Sequence, residues 1–174
     1  PGSYPATNAR STNFCKLATD IGTAGGVAID DQGRVYVASS SGFQVLRFSP
    51  PFPTGSDAAH GCGLQDATGA PFATAVNREV FLPFTGLNTY TGIAVAANGN
   101  LYVSEVLGGD IGEYDQNGAL VRMIVAPPNP VPPHATGTPQ GIAVGPDGTL
   151  YYADLDLVGT FPDLGPGPNG KIWR

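Results

Sequence analysis

The segment Gly26-Val-Ala-Ile-Asp-Asp-Gln-Gly-Arg-Val-Tyr-Val37 is the first of three ungapped copies of one twelve-residue phrase. The second copy is Gly92-Ile-Ala-Val-Ala-Ala-Asn-Gly-Asn-Leu-Tyr-Val103, and the third is Gly141-Ile-Ala-Val-Gly-Pro-Asp-Gly-Thr-Leu-Tyr-Tyr152. Each copy begins with Gly, has Gly again seven positions later and carries Tyr at its eleventh position. Chance does not produce three such copies, so the chain is built from repeated structural units.

Each copy of the phrase is typical of a β-hairpin. Its Val-Ala-Ile or Ile-Ala-Val run is apolar and rich in β-branched residues, which predicts a short strand buried on both faces. Asp-Gln-Gly, Ala-Asn-Gly or Pro-Asp-Gly then predicts a tight turn, because Gly adopts a positive φ at little cost. The returning Val-Tyr-Val, Leu-Tyr-Val or Leu-Tyr-Tyr predicts a second strand.

Composition narrows the class of protein. The chain has 174 residues with 25 Gly and 17 Pro, and only 13% of its residues are charged, which favours a β-rich protein with many turns. It contains no apolar run of the length that a membrane-spanning helix needs. The formal net charge is −6 and the basic residues are scattered singly, which argues against nucleic acid as a partner.

Around each phrase the pattern predicts further strands. In the second unit these are Gly92–Ala96, Leu101–Glu105, Asp110–Tyr114 and Ala119–Val125. Four strands per unit, with an apolar first strand, are typical of a β-propeller blade. The phrase, followed by Asp110-Ile-Gly-Glu-Tyr-Asp-Gln-Asn-Gly118, resembles the NHL repeat and the blades of SMP-30/gluconolactonase-like and sugar-dehydrogenase-like propellers. The resemblance covers about residues 25–174.

The predicted fold class is therefore all-β, with β-propeller blades of four antiparallel strands forming about half of a six-bladed ring. Residues 1–13 are expected to form an extended N-terminal arm, and residues 14–174 the partial propeller. The expected blades are about 25–84 with an insertion at 50–76, about 92–126, and about 141–174.

Three blades do not close a ring, because propellers close with about four to eight. The two flanks of an open array need cover, since exposed sheet surfaces invite aggregation. The remaining blades could come from the same polypeptide, from a second copy or from a partner chain. The stop at Trp173-Arg174, before a fourth strand, favours a fragment of a longer polypeptide.

Ser39, Glu105 and Asp154 end the second strands of the three units and are expected to line one face of the ring. In SMP-30-like enzymes acidic and amide side chains on that face bind a divalent metal, so the resemblance implies Glu105, Asp154 and Asn88 as ligands, with Asp156 an alternative. Carboxylate and amide oxygens suit calcium or a similar ion. Acidic residues at strand ends also simply accept hydrogen bonds from turn amides.

Two classes of function stay open. One is a binding or scaffold propeller whose loop face takes a small molecule, a sugar or a peptide. The other is a propeller enzyme, lactonase/hydrolase-like or sugar-dehydrogenase-like, with Glu105, Asp154 and His134 at a metal-assisted site. His134 lies in a loop expected on the same face, where it could act as a catalytic base or a ligand.

Cys15 and Cys62 are compatible with one disulfide bond. The alternative is two buried thiols. A composition low in Lys and rich in Gly, Pro, Asn and Thr favours the disulfide and predicts a secreted or periplasmic protein.

Overall fold

A computed structural model describes residues 18, 21–50, 52, 77–86, 89–125, 138–159, 163 and 165–174. Within these ranges the secondary structure consists of β-strands and no helix, which confirms the predicted all-β fold class. The described part of the chain accordingly holds no helix with the length and apolarity to cross a membrane.

Three antiparallel sheets follow one another along the chain, and each contains one copy of the repeated phrase. The first has the order β1-β2-β3-β4, with strands Ala24–Ile29, Val35–Ser39, Gln44–Ser49 and Asn77–Leu82. The second has the order β5-β6-β7-β8, with strands Tyr90–Val95, Leu101–Glu105, Asp110–Tyr114 and Leu120–Val125. The third has the order β13-β10-β9, with β9 at Pro139–Val144, β10 at Leu150–Asp154 and β13 at Lys171–Trp173. A separate two-stranded ribbon of β11 (Leu157–Val158) and β12 (Gly165–Pro166) lies in a connection for which the sequence predicted no strand.

The phrase forms the hairpin that its sequence predicts. Its second glycine has a positive φ in every copy, with values of 74° at Gly33, 82° at Gly99 and 81° at Gly148. In the first hairpin the Asp30 carboxylate accepts hydrogen bonds from the backbone N–H of Gln32 at 3.0 Å and of Arg34 at 2.9 Å. These bonds fix the turn and hence the register of β1 against β2.

The first strands of the three sheets lie against one another, with β5 between β1 and β9. Burial follows from this order. Nearly all of β5 is buried, whereas β1 and β9 are largely exposed because each has a neighbouring first strand on one side alone among the described residues. The expectation that every first strand is buried on both faces is therefore wrong for β1 and β9.

The main hydrophobic core fills the space between the first and second sheets. Its buried members are Tyr36, Ala38, Val45, Phe81, Leu82, Tyr90, Ile93, Leu101 and Val103. Polar contacts join the same two sheets: Ser40 Oγ donates to the carbonyl of Tyr90 at 2.8 Å. Arg47 Nη1 donates to the carbonyl of Gln116 at 2.6 Å. The two sheets thus pack face to face as neighbouring layers.

The exposure of the tyrosine in each copy of the phrase shows how much of the protein covers that sheet. Tyr36 is 0% exposed beneath the second sheet, Tyr102 is half-buried beneath the third, and Tyr151 is 38% exposed. In each sheet the tyrosine lies on the face toward the next sheet in chain order. Its cross-strand partners are Ala28, Ala94 and Ala143 respectively. The third sheet therefore presents a face that nothing in the described part of the chain covers.

Candidate functional site

The repeat places the final residue of each second strand at the same register position. Ser39 ends β2, Glu105 ends β6 and Asp154 ends β10, each thirteen residues after the first glycine of its copy. We call this end of the three sheets the rim. The rim is where the sequence predicts a ligand or metal site.

At the first sheet the rim residue holds the backbone that leads into β1. The Ser39 hydroxyl is fully buried and donates to the carbonyl of Ile21. Its oxygen also accepts the backbone N–H of Gly42 at 3.2 Å. Because its proton and one of its two lone pairs are engaged within the protein, Ser39 serves the loop and offers little to a ligand.

At the third sheet the corresponding residue, Asp154, also binds backbone groups of the adjoining loops. Its Oδ1 accepts the backbone N–H of Thr138 at 2.8 Å, the backbone N–H of Asp156 at 2.9 Å and the Thr138 hydroxyl at 3.4 Å. Its Oδ2 lies 3.5 Å from the indole Nε1 of Trp173. Burial by itself would raise the pKa of Asp154, but the donors from Thr138, Asp156 and Trp173, with the charge of Lys171, hold that pKa below its ordinary value.

Asp156 is likewise engaged with backbone. It is one of two non-glycine residues with positive φ in the described ranges, at 52°. Its Oδ2 accepts the backbone N–H of Asn169 at 2.9 Å, and its carbonyl accepts that of Gly167 at 2.7 Å. The two aspartates at this end of the third sheet therefore hold the connection that carries the β11–β12 ribbon.

At the second sheet the rim carries two carboxylates. Glu105 and Asp110 are cross-strand partners on either side of the β6–β7 turn. A β-carbon added to Gly108 would lie 2.9 Å from the carboxyl carbon of Glu105 and 3.0 Å from Oδ2 of Asp110. Both carboxylates thus approach the backbone at Gly108, where a larger residue would push them aside.

Two tyrosines lie in the same neighbourhood. Burial first, and then the nearby Tyr90, Asp110 and Glu105, raise the pKa of Tyr114 well above its ordinary value. The Tyr114 hydroxyl therefore stays protonated throughout the physiological range and can only donate or accept a hydrogen bond. The two carboxylates of the rim thus help to keep the Tyr114 phenol neutral.

Threonine three positions before the first glycine is a rim residue that the sequence reasoning missed. Thr23, Thr89 and Thr138 occupy this place in the three copies. Their carbonyls accept the backbone N–H of Ser40, Val106 and Leu155, the residues that follow each second strand. The Thr89 hydroxyl accepts the N–H of Leu107 at 2.9 Å, and the Thr138 hydroxyl accepts that of Leu157 at 3.0 Å. Extending the repeat alignment by three residues would have found them.

Apart from the alternative ligand Asp156, only two of the predicted metal and catalytic residues, Glu105 and Asp154, lie within the described ranges. Glu105 and Asp154 end strands of two different sheets at the rim, and their role as metal ligands stays a prediction. Within the described ranges no three or more His, Cys, Asp or Glu residues are grouped so that they could hold a metal ion. Residues outside those ranges include Asn88, His134, Cys15 and Cys62, together with the predicted arm 1–13 and positions 53–76 of the predicted insertion.

The Asp154 contacts predict a measurable pH dependence. A carboxylate whose pKa is lowered on folding stabilises the fold above its unfolded pKa of 3.8, and this stabilisation is lost as the pH falls through the folded pKa. Asp154→Asn should cost about 1 kcal/mol at neutral pH, since charged acceptors bind N–H groups more strongly than neutral ones. The same variant should lose less stability than wild type on acidification below about pH 4.

Thermal unfolding between pH 7 and pH 2 tests this prediction. Asp31→Asn, at an exposed position in the first hairpin, is the control and should follow the wild-type curve. Superimposable acid curves for Asp154→Asn and wild type would show that the Asp154 contacts contribute no stability.

Comparison with known proteins gives the class of fold. No protein-family model and no curated protein sequence matches the chain. Solved structures do match. Regucalcin of Agrobacterium tumefaciens, a calcium-binding protein, has a TM-score of 0.54 and 20% identity over 84% of this chain and 42% of its own. A chain of the nidogen/laminin complex has a TM-score of 0.54 and 18% identity over 90% and 49%. A gluconolactonase of Xanthomonas campestris has a TM-score of 0.51 and 19% identity over 78% and 36%.

These structures define the protein as a partial β-propeller. Its three sheets are blades, and its neighbours in fold are propellers of the SMP-30/gluconolactonase type and an NHL-type propeller. The resemblance that the repeated phrase predicts is thus confirmed at the level of fold. The chain spans less than half the length of each of these three structures. A complete ring therefore needs further blades besides these three.

Proposed function

We propose that this chain contributes three blades to a secreted SMP-30/NHL-like propeller that acts as a binding or scaffold module through its rim. The observation that carries the proposal is that rim side chains are hydrogen-bonded to the backbone of their own loops. Ser39 and Asp154, at the predicted site position, are committed to backbone donors and acceptors of their own loops. Side chains bound to backbone in this way make the described part of the rim a rigid platform for a ligand.

The ligand class follows from the same surface. The Glu105 and Asp110 carboxylates offer hydrogen-bond acceptors at this end of the second sheet, which suits a sugar, another small polar molecule or a peptide. The remaining blades would come from the rest of the polypeptide, a second copy or a partner chain. The nidogen/laminin complex shows that a propeller of this fold class occurs in a protein assembly, which supports the scaffold role.

A second candidate is a propeller enzyme, lactonase/hydrolase-like or sugar-dehydrogenase-like, with a divalent ion held by Glu105 and Asp154 and with His134 as base. The approach of Glu105 and Asp110 to one point of backbone favours it. Carboxylate oxygens are the donors that calcium prefers, and regucalcin of similar fold is a calcium-binding protein. Asp154 fits this role less well, because its Oδ1 already accepts three hydrogen bonds.

Calcium titration by calorimetry separates the two candidates. The binding module should take up no stoichiometric Ca²⁺ tighter than about 1 mM, and it should hydrolyse gluconolactone no faster than buffer does. One ion per chain, lost in Glu105→Gln and kept in the control Asp115→Asn, would favour the enzyme instead. Asp115 suits as control because it lies at the β7–β8 turn, where its carboxylate accepts only turn N–H groups.

The only tryptophan of the chain provides the positive test of binding. Trp173 lies beside Asp154 at the rim, so its emission should respond when a ligand covers this surface. Titration with monosaccharides, gluconolactone and a mixed peptide set should give a saturable change with at least one of these classes. Unchanged emission across all of them would contradict the binding role of the rim.

A further inference from the structure

The Asn-Gly dipeptide occurs three times in the sequence, and the structure gives the three copies different surroundings. They are Asn98-Gly99, Asn117-Gly118 and Asn169-Gly170. In such a pair the backbone nitrogen of glycine can attack the side-chain amide carbon of asparagine, because glycine has no side chain to obstruct the approach. The reaction needs a glycine N–H that is free to lose its proton and an asparagine side chain that is free to turn toward it. Hydrogen bonds at these two groups therefore decide where the reaction can occur.

Asn98 is held at both groups. Its Nδ2 donates to Glu113 Oε1 at 3.2 Å, and its Oδ1 accepts the backbone N–H of Asn100 at 3.0 Å. The N–H of Gly99 donates to the carbonyl of Ala96 at 2.9 Å. Reaction at Asn98 would break all of these bonds, so the fold protects this asparagine.

Asn117 is held at the attacking nitrogen. It lies in the β7–β8 turn, where the Gly118 N–H donates to the carbonyl of Asp115 at 3.0 Å. A β-carbon on Gly118 would lie 2.5 Å from the carbonyl oxygen of Phe81 in the first blade, so this turn also lies against a neighbouring sheet. Attack by the Gly118 nitrogen would therefore break the bond that closes the turn.

Asn169 has neither restraint. It is exposed in the connection that leads into β13 at the rim. Its backbone N–H donates to Asp156 Oδ2 at 2.9 Å, but within the ranges that the structure describes no hydrogen bond engages its carboxamide or the Gly170 N–H. Neighbouring blades pack against the flat faces of a propeller sheet, so the exposure of this rim connection does not depend on which blades adjoin the third sheet.

We propose that Asn169 is a modification site at which the folded protein deamidates, while Asn98 and Asn117 are protected. The Gly170 nitrogen bonds to the side-chain amide carbon of Asn169, and the bond from that carbon to Nδ2 breaks. The proton lost by the Gly170 nitrogen passes through solvent to the leaving nitrogen, which departs as ammonia. Water then opens the cyclic imide at either of its carbonyl carbons and gives aspartate or isoaspartate. Water is the co-reactant, and nothing is oxidised or reduced.

The products would alter the rim beside Asp156. Both add a negative charge there, and isoaspartate also lengthens the main chain by a methylene group between the Asp156 contact and β13. Trp173 of β13 stacks on Tyr152, with ring centroids 6.4 Å apart and ring planes at 17°. We expect isoaspartate to shift β13 and to change the emission of Trp173. This inference does not depend on which ligand the rim binds.

Incubation of the native chain in mildly alkaline buffer, followed by peptide mapping with mass spectrometry, tests the proposal. Products should form at Asn169 at least about fivefold faster than at Asn117, the factor that one hydrogen bond represents, and slowest at Asn98. Incubation in urea is the control. Glycine follows all three asparagines, so in the unfolded chain they should react at similar rates.

Asn169→Gln is the matched variant, because it keeps an exposed amide but would have to form a larger ring. This variant should show no product at position 169 and a constant Trp173 emission, whereas the wild-type emission should drift at the rate of product formation. Equal rates at Asn117 and Asn169 in the native protein would overturn the proposal. So would an unmodified Asn169 after the urea sample has reacted, or the same emission drift in wild type and Asn169→Gln.

Discussion

Leu101→Ala should lower the free energy of unfolding by about 2–5 kcal/mol, the usual cost of truncating a buried leucine. Leu101 is fully buried in the core between the first and second blades, together with Tyr36 and Phe81. Removal of its side chain would leave a cavity between two sheets whose positions are fixed by their own hydrogen bonds, so little of the cavity can collapse. Urea unfolding followed by circular dichroism measures the change.

Leu120→Ala supplies the matched control. Leu101 and Leu120 are both cross-strand partners of Tyr114, on opposite sides of β7, but Leu120 is 53% exposed. Its truncation should therefore change stability by less than about 1 kcal/mol. Equal losses for the two variants would mean that the core does not lie between the blades.

Gly92→Ala should destabilise the protein by about 1–3 kcal/mol, although alanine is normally preferred to glycine in a strand. The added methyl group would lie 2.5 Å from Ser104 Oγ and 3.1 Å from the backbone nitrogen of Ile142, and it would also meet the carbonyl of Gln140. Ser104 Oγ accepts the N–H of Gly92 and donates to the carbonyl of Gln140, each at 2.8 Å. The substitution therefore separates the second and third blades and breaks this bridge.

Gly141→Ala tests the same position of the phrase in the third sheet, where no described first strand of a following sheet crosses the glycine. It should be neutral or stabilising by about 0.5–1 kcal/mol, the ordinary preference for alanine over glycine, because no described atom lies within 4 Å of the added carbon. A destabilisation equal to that of Gly92→Ala would show that the glycine is needed for the hairpin itself, and not for the contact between blades.

The fold could be predicted because its signals are local and repeated. The turn glycines Gly33, Gly99 and Gly148 and the β-branched runs before them define hairpins without reference to the rest of the chain. The unequal burial of the first strands could not be predicted in this way. It depends on how many blades flank each strand, a property of the array that no single copy of the phrase encodes.

For the rim, the sequence could predict where the residues lie but not whether their side chains are available to a ligand. Counting from the repeat glycine puts Ser39, Glu105 and Asp154 at equivalent places, and β2, β6 and β10 end at these three residues. Whether a carboxylate there is available to a ligand depends on where neighbouring N–H groups point. For Asp154 those groups belong to Thr138, sixteen residues away in sequence, and to Asp156 in the following connection.

The central claim is that the first strands of three radial sheets cross one another face to face at the repeat glycines. Nuclear Overhauser spectroscopy tests it most directly. A β-carbon on Gly26 would lie 3.2 Å from the α-carbon of Gly92, and one on Gly92 would lie 3.1 Å from the nitrogen of Ile142. Cross-peaks between the α-protons of Gly26 and Gly92, and between an α-proton of Gly92 and the amide proton of Ile142, are the predicted result. Intact hairpin cross-peaks without these two would contradict the stacked-blade architecture.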